Sequence, residues 1–218
     1  MYFPIEEICN FSRENNILSI IDGAHIPGHF PLSLNSLNPD IYVGACHKWL
    51  LCPKGVSFLY VNKKHQNQIE PLIISWGYKS DSPTHSQFQD YHLWQGTRDF
   101  SAFLTIPDAI QFREDYNWES ISKKCKNNIL KVREEIHHII QTDSLVYNSP
   151  EKWLGQMYSF QIDCQDVDKL KNILINDYKI EIPVITWENK TLIRISINGY
   201  NTTNDIDKFL SFLKKIIQ

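Results

Sequence analysis

Apolar residues recur at helical spacing from the start of the chain. Ile5, Ile8 and Phe11 share one face, Pro4 stands near a first turn and Asn15-Asn16 near a stop, so a helix is predicted from Pro4 to Asn16. The pattern then changes to a short continuous apolar run, "ILSIID" from Ile17 to Asp22, which predicts a strand buried on both faces. "DIYVGAC" (Asp40 to Cys46) and "VSFLYV" (Val56 to Val61) are rich in β-branched and aromatic residues and predict two more strands, with Pro53-Lys54-Gly55 as the break between them. Ile69 to Gln95 is turn-rich and aromatic, and is expected to be an ordered surface loop. Ser101 to Tyr116 is expected to be helical, and Glu119 to Gln141 a long amphipathic helix. Further on, the pattern predicts a strand at Met157 to Asp163, a helix at Val167 to Asp177, strands at Ile180 to Thr186 and Thr191 to Ile197, and a closing helix at Asn204 to Ile217. Thr203 is the expected cap of that last helix, and Asp205 and Asp207 suit its positive end.

This order predicts an α/β protein: an open, mostly parallel sheet with helices over residues 1–118, a linking helix over 119–141, and a small α+β domain over 142–218. The chain has 218 residues, enough for a substantial core, and its hydrophobic (42%) and charged (22%) fractions are those of an ordinary globular protein. A formal charge of -3, with Lys and Arg scattered, offers no basic field for nucleic acid. No apolar run approaches the ~20 residues of a membrane span. The amphipathic, acid-bearing start is neither a signal nor a transit peptide, and five cysteines without regular spacing suit a reducing compartment. A soluble cytoplasmic protein is therefore expected.

In an open α/β sheet the functional groups gather at the carboxyl ends of the strands. Two predicted strands end suggestively, one in Asp22-Gly23-Ala24-His25 and the next in His47-Lys48-Trp49. Asp22 alone also fits a turn carboxylate that caps local backbone. A metal site is not expected, because Pro27-Gly28 separates His25 from His29 and denies them one helical face. Lys48 is more informative. A lysine beside Trp49, Leu50 and Leu51 at a strand terminus is costly to desolvate unless it pairs or sheds its proton, and a lysine able to shed its proton is what Schiff-base chemistry needs. Asp22 opposite it would supply the carboxylate that keeps a pyridoxal phosphate ring nitrogen protonated.

The set "DGAH", "PG", "DIYVG", "HKWL", "PKG" and "FLYV", followed by "WQGTRD" (Trp94 to Asp99) and "IEIPVITW…LIRIS…YNT" (Ile180 to Thr202), resembles the class V aminotransferases among fold-type I pyridoxal-phosphate enzymes, and within them the isopenicillin N epimerase-like branch. The resemblance is to the carboxyl-terminal half of that family. It implies the end of the cofactor-binding large domain followed by the small domain, without the half that carries a phosphate-cradling helix start and a ring-stacking aromatic residue. It further implies that Lys48 forms the Schiff base and moves the α-proton, Asp22 pairs with the ring nitrogen, His25 meets the phenolic oxygen and His47 the phosphate. Gly96 and Thr97 would reach the phosphate of a neighbouring subunit, implying a homodimer, and Arg194 would clamp the substrate carboxylate through paired hydrogen bonds. Thr97 also fits an ordinary turn residue and Arg194 an outward strand residue. Ala45 stands where the family usually has a polar phosphate ligand.

By the same resemblance the substrate is an amino acid or small peptide. Cysteine desulfuration is disfavoured because "EIPVITWENKTLIR" has no cysteine. Epimerisation and transamination both remain open, as does a non-catalytic fragment or a half-enzyme that needs a separate amino-terminal chain.

Overall fold

In the computed structural model, which describes residues 2–141 and 149–217, Pro4 stands at the N-cap of helix α1 (Ile5–Glu14), where its missing amide hydrogen costs nothing. The chain divides into two compact units, Pro4–Phe112 and Met1–Phe3 with Arg113–Gln218. In the first, α1 is followed by β1 (Ile20–Asp22), the short helix α2 (Leu34–Leu37), β2 (Ile41–Ala45) and β3 (Ser57–Val61). The sheet order is β1-β2-β3, with β1 parallel to β2 and β2 antiparallel to β3.

Register determines which side chains share a face. Ile21, Tyr42 and Tyr60 align across the strands and pack with Cys9 of α1 and Leu37 of α2. The alternate residues face the other way: Ile20 is 65% exposed, whereas Ile21 is 9% exposed. The expected burial of β1 on both faces is therefore corrected, because α1 and α2 cover one face. The strand also starts later than the apolar run, at Ile20, since Ile17 donates its amide to Ser12 and Ser19 turns to Asp40.

Asp40, buried at the entry to β2, ties the amino-terminal ends of β1 and β2 together. Its Oδ2 accepts the Ser19 amide (2.9 Å) and hydroxyl (3.0 Å), while Oδ1 meets Lys64 Nζ (2.7 Å) and His65 Nε2 (3.0 Å). Burial pushes this carboxyl's pKa up, but Lys64, Ser19 and His65 outweigh burial and hold it well below the usual carboxylate range.

Beyond β3 the chain departs from the expected elements in two places. Helix α3 (Gln87–Leu93) forms inside the predicted loop, capped by Ser86, whose hydroxyl accepts the Gln89 amide. The predicted helix Ser101 to Tyr116 is broken into α4 (Ser101–Leu104) and α5 (Ile106–Asp115). Pro107 has no amide to continue the ladder, and the Thr105 hydroxyl donates to the Ala102 carbonyl instead.

The second unit comprises α6 (Trp118–Ile140), α7 (Pro150–Trp153), β4 (Met157–Ile162), α8 (Val167–Asn176), β5 (Val184–Trp187), β6 (Lys190–Ser196) and α9 (Thr203–Ile217). Its antiparallel sheet has the order β4-β6-β5. Tyr158, Phe160, Ile193 and Ile195 pack from the sheet against Ile129, Val132 and Ile136 of α6 and Phe209, Phe212 and Leu213 of α9. The helix expected as a linker between lobes thus carries part of this core. The expected start of the small domain, at residue 142, lies outside the described residues. Pro183 shortens β5 relative to the predicted Ile180 to Thr186, and the α9 cap falls on Thr202 rather than Thr203. Thr202 and Asp205 exchange hydrogen bonds, the Asp205 carboxylate accepting the Thr202 amide (2.8 Å) and the Thr202 hydroxyl accepting the Asp205 amide (3.3 Å). Among the described residues no helix is long and apolar enough to cross a membrane.

Because Asp40 has a depressed folded-state pKa, its stabilising contribution is complete above the unfolded value of ~3.9 and is lost as pH falls below it. Urea denaturation at successive pH values checks this. Asp40→Asn should be less stable than wild type at neutral pH, and the gap should close on acidification below about pH 4.

Candidate active site

Since β1 and β2 run parallel, the chain leaves both at the same edge of the sheet, Asp22 from one and Ala45 from the other. Gly23 follows because a side chain there would enter the Tyr42 ring. Its amide donates to the Val43 carbonyl (2.9 Å), and the Asp22 Oδ1 accepts the Ala24 amide (3.0 Å). Asp22 thus caps local backbone with one oxygen, as its turn position suggested. Its side chain is exposed.

The loop after β1 turns at Gly28, whose φ is 78°. A Cβ at Gly28 would stand 2.5 Å from the Trp49 carbonyl oxygen, so this loop is pressed directly against the one after β2. The contact brings His25 to Lys48 and Trp49. Lys48 Nζ lies 3.2 Å from His25 Nε2, and Trp49 Nε1–H donates to His25 Nδ1 at 3.1 Å. His29 stacks on Trp49 with centroids 4.2 Å apart, and its Nδ1 lies 3.1 Å from the His25 carbonyl oxygen. Trp49 occupies the buried position, and Lys48 beside it is exposed, contrary to the expectation that its apolar neighbours desolvate Lys48.

The loop after β2 rests on a separate apolar cluster of Cys46, Cys52 and Val56, packed with Leu50, Phe58 and Phe103. Burial raises the pKa of both thiols, and the nearby Cys52 adds to the rise at Cys46. Val56 closes the loop by accepting from three donors: the Cys46 amide (3.0 Å), the His47 amide (3.2 Å) and His47 Nδ1–H (2.7 Å). His47 is therefore tied to the scaffold through Nδ1, leaving Nε2 as its outward nitrogen. Ala45 is buried and offers no polar side chain.

The structure brings Asp22, His25, His47 and Lys48 to one sheet edge. Gly96 (φ 104°) and Thr97 lie elsewhere in the same unit, on the loop after α3, and no hydrogen bond among the described residues joins them to Lys48 or Asp22. Arg98 beside them is held over the rings of Phe100 and Phe103 at 5.2 and 4.9 Å. Arg194 belongs to the other unit, on β6 opposite Ser159 of β4. It is half-buried, and its Nε is buried with no hydrogen-bond partner among the described residues. Sequence reasoning assigned no role to Trp49 or His29. An aromatic residue directly after a candidate lysine is the signal that could have marked Trp49.

Gly28→Ala is expected to be destabilising by about 1–3 kcal/mol, because it combines a positive φ with a backbone collision. Denaturant midpoints of wild type and variant check this, and an unchanged midpoint would mean that the two loops are not pressed together.

The family model for aminotransferase class-V matches residues 1–209. The chain is 27% identical over 226 residues to isopenicillin N epimerase of Amycolatopsis lactamdurans, an alignment covering 99% of this chain and 56% of that protein. It is 35% identical over 138 residues to hercynylcysteine sulfoxide lyase of Schizosaccharomyces pombe, covering 62% of this chain and 35% of that one. Among solved structures, a C-DES mutant with glycine covalently linked to its PLP cofactor superposes with a TM-score of 0.76 at 18% identity, over 98% of this chain and 57% of that chain. The chain thus spans little more than half the length of the epimerase it matches. With the family model matching nearly all of it, the chain belongs to the aminotransferase class-V family.

Proposed function

We propose that this chain carries the lysine-bearing part of a pyridoxal-phosphate site acting at the α-carbon of an amino acid or small peptide. The observation that carries this reading is Lys48 Nζ beside His25 Nε2 at 3.2 Å, at the same sheet edge as the exposed Asp22 carboxylate. The donor set suits the cofactor: an amine for its aldehyde carbon, a carboxylate for its ring nitrogen and an imidazole for its phenolic oxygen. Bound there, pyridoxal phosphate supplies an electron sink for the carbanion left when the α-proton departs.

The roles then follow from each side chain's remaining valences. Lys48 Nζ holds the cofactor and moves the α-proton. Asp22 has one oxygen on the Ala24 amide and the other available to keep the ring nitrogen protonated. His25 meets the phenolic oxygen. His47 spends Nδ1 on Val56, so Nε2 is the nitrogen that would meet a phosphate oxygen. Ala45 contributes nothing, so phosphate binding leans on Gly96 and Thr97 of a second copy in a homodimer. Exposed Leu72 and Trp76 fit such an interface. Arg194, half-buried on β6, would take the substrate carboxylate through its guanidinium.

Two reactions share this machinery. Likeness to isopenicillin N epimerase over 99% of the chain favours return of the α-proton, in epimerisation. The stretch 35% identical to hercynylcysteine sulfoxide lyase favours cleavage of a carbon–sulfur bond after α-proton loss, which needs no cysteine nucleophile near Arg194.

Visible absorbance during titration with pyridoxal phosphate tests the reading. A yellow band should form with wild type and be absent with Lys48→Ala. Equal spectra for the two proteins would show that Lys48 does not hold the cofactor in this chain. A Lys48-dependent band followed by solvent deuterium incorporation at the α-carbon would support epimerisation, and thiol or sulfenate release would support the lyase.

A further inference from the structure

The three rings of His25, His29 and Trp49 fit together in a way that the roles above leave unused. Indole has one polar group, the Nε1–H, and it can only donate. In this structure it points at His25 Nδ1 from 3.1 Å. Nδ1 must therefore present its lone pair. An imidazole keeps at least one N–H, so the proton resides on Nε2, the nitrogen 3.2 Å from Lys48 Nζ.

We propose that Trp49 is a positioning residue that fixes His25 in the Nε2–H tautomer, so that His25 presents a hydrogen-bond donor at the side of Lys48. The opposite tautomer would set Nδ1–H against the indole N–H, leaving two donors facing each other where Trp49 is buried. Trp49 cannot easily turn away, because His29 stacks on its ring and Gly28 lies against its backbone. His29 is itself held, since its Nδ1–H donates to the carbonyl of His25. His47 makes the contrast: its Nδ1 faces a carbonyl, so Nδ1 bears the proton there. Two histidines at one sheet edge are thereby given different polarity, a donor Nε2–H on His25 and a free Nε2 valence on His47.

This polarity has a consequence at Lys48. Nε2–H can bond Nζ only where the amine accepts through its lone pair, the form that attacks a carbonyl carbon. The same N–H donates to an oxygen placed there instead. The proposal deepens the cofactor reading and rests on it only for the identity of that oxygen.

The test is ¹⁵N nuclear magnetic resonance of the full chain labelled at histidine and tryptophan, without cofactor. In wild type, His25 should show a pyridine-type Nδ1 and a pyrrole-type Nε2, with a scalar coupling across the hydrogen bond between Trp49 Nε1 and His25 Nδ1. In Trp49→Phe the two His25 resonances should move towards one another as both tautomers populate, while those of His47 stay in place as the control for folding. A pyrrole-type Nδ1 on wild-type His25, or a tautomer unchanged in the folded variant, would overturn the proposal. If Trp49→Phe does not fold, the wild-type coupling alone decides, and its absence counts against the proposal. None of these signals involves pyridoxal phosphate, so failure to bind it would sink the proposed function and leave the tautomer assignment to be judged by its own signals.

Discussion

The parallel pairing of β1 with β2 is the constraint on which the site depends. Residues far apart in sequence leave the sheet at one edge only because Ile20 to Asp22 run alongside Ile41 to Val43 in the same direction. A parallel pair needs a crossover connection, and the short helix α2 with its flanking turns supplies it. Asp40 ties the opposite end of the two strands through Ser19, so the pairing is anchored at the end away from Asp22 and the Lys48 loop. The close approach of Gly28 to the Trp49 backbone then converts strand proximity into side-chain proximity.

Rigid support for exposed chemistry is the second theme. Lys48 and Asp22 are both exposed, and neither could be held by burial of its own side chain. Their neighbours are buried in their place: Trp49 and Cys46 beside the lysine, Gly23 against Tyr42 beside the aspartate. Val56, fully buried, accepts the bonds that close the lysine loop. Lys48 is thus set on a loop whose adjoining residues are fixed by packing and backbone hydrogen bonds.

Much of this was legible in the sequence, for identifiable reasons. The strands at Ile41–Ala45 and Ser57–Val61 fall inside the predicted apolar runs because the β-branched and aromatic residues there have no competing pattern. The long helix from Trp118 to Ile140 shows itself by period, although its role as core rather than linker depends on partners that periodicity cannot name. Helices α2 and α3 were missed because both are short or polar and begin at serine caps, Ser33 and Ser86, in stretches that otherwise look like loop. At the site, Asp22 and Lys48 are marked by their places at strand ends, whereas His25 and His47 gain their roles from the resemblance to the family. Their exposure and the direction of each hydrogen bond are not legible in this way, since these depend on which ring nitrogen faces which neighbour.

The chain belongs to the aminotransferase class-V family and spans little more than half of the epimerase it matches, and the sheet edge that carries Lys48 is where we propose its cofactor chemistry resides. The central claim is that Lys48 is singled out from the other lysines of the chain by the groups around it. Borohydride reduction in the presence of pyridoxal phosphate, followed by peptide mass mapping, tests this most directly. The account predicts a pyridoxyl group on the peptide containing Lys48 at cofactor concentrations that leave the remaining lysines unmodified. Label spread evenly over exposed lysines such as Lys123 and Lys171, with Lys48 no more reactive than they are, would contradict it.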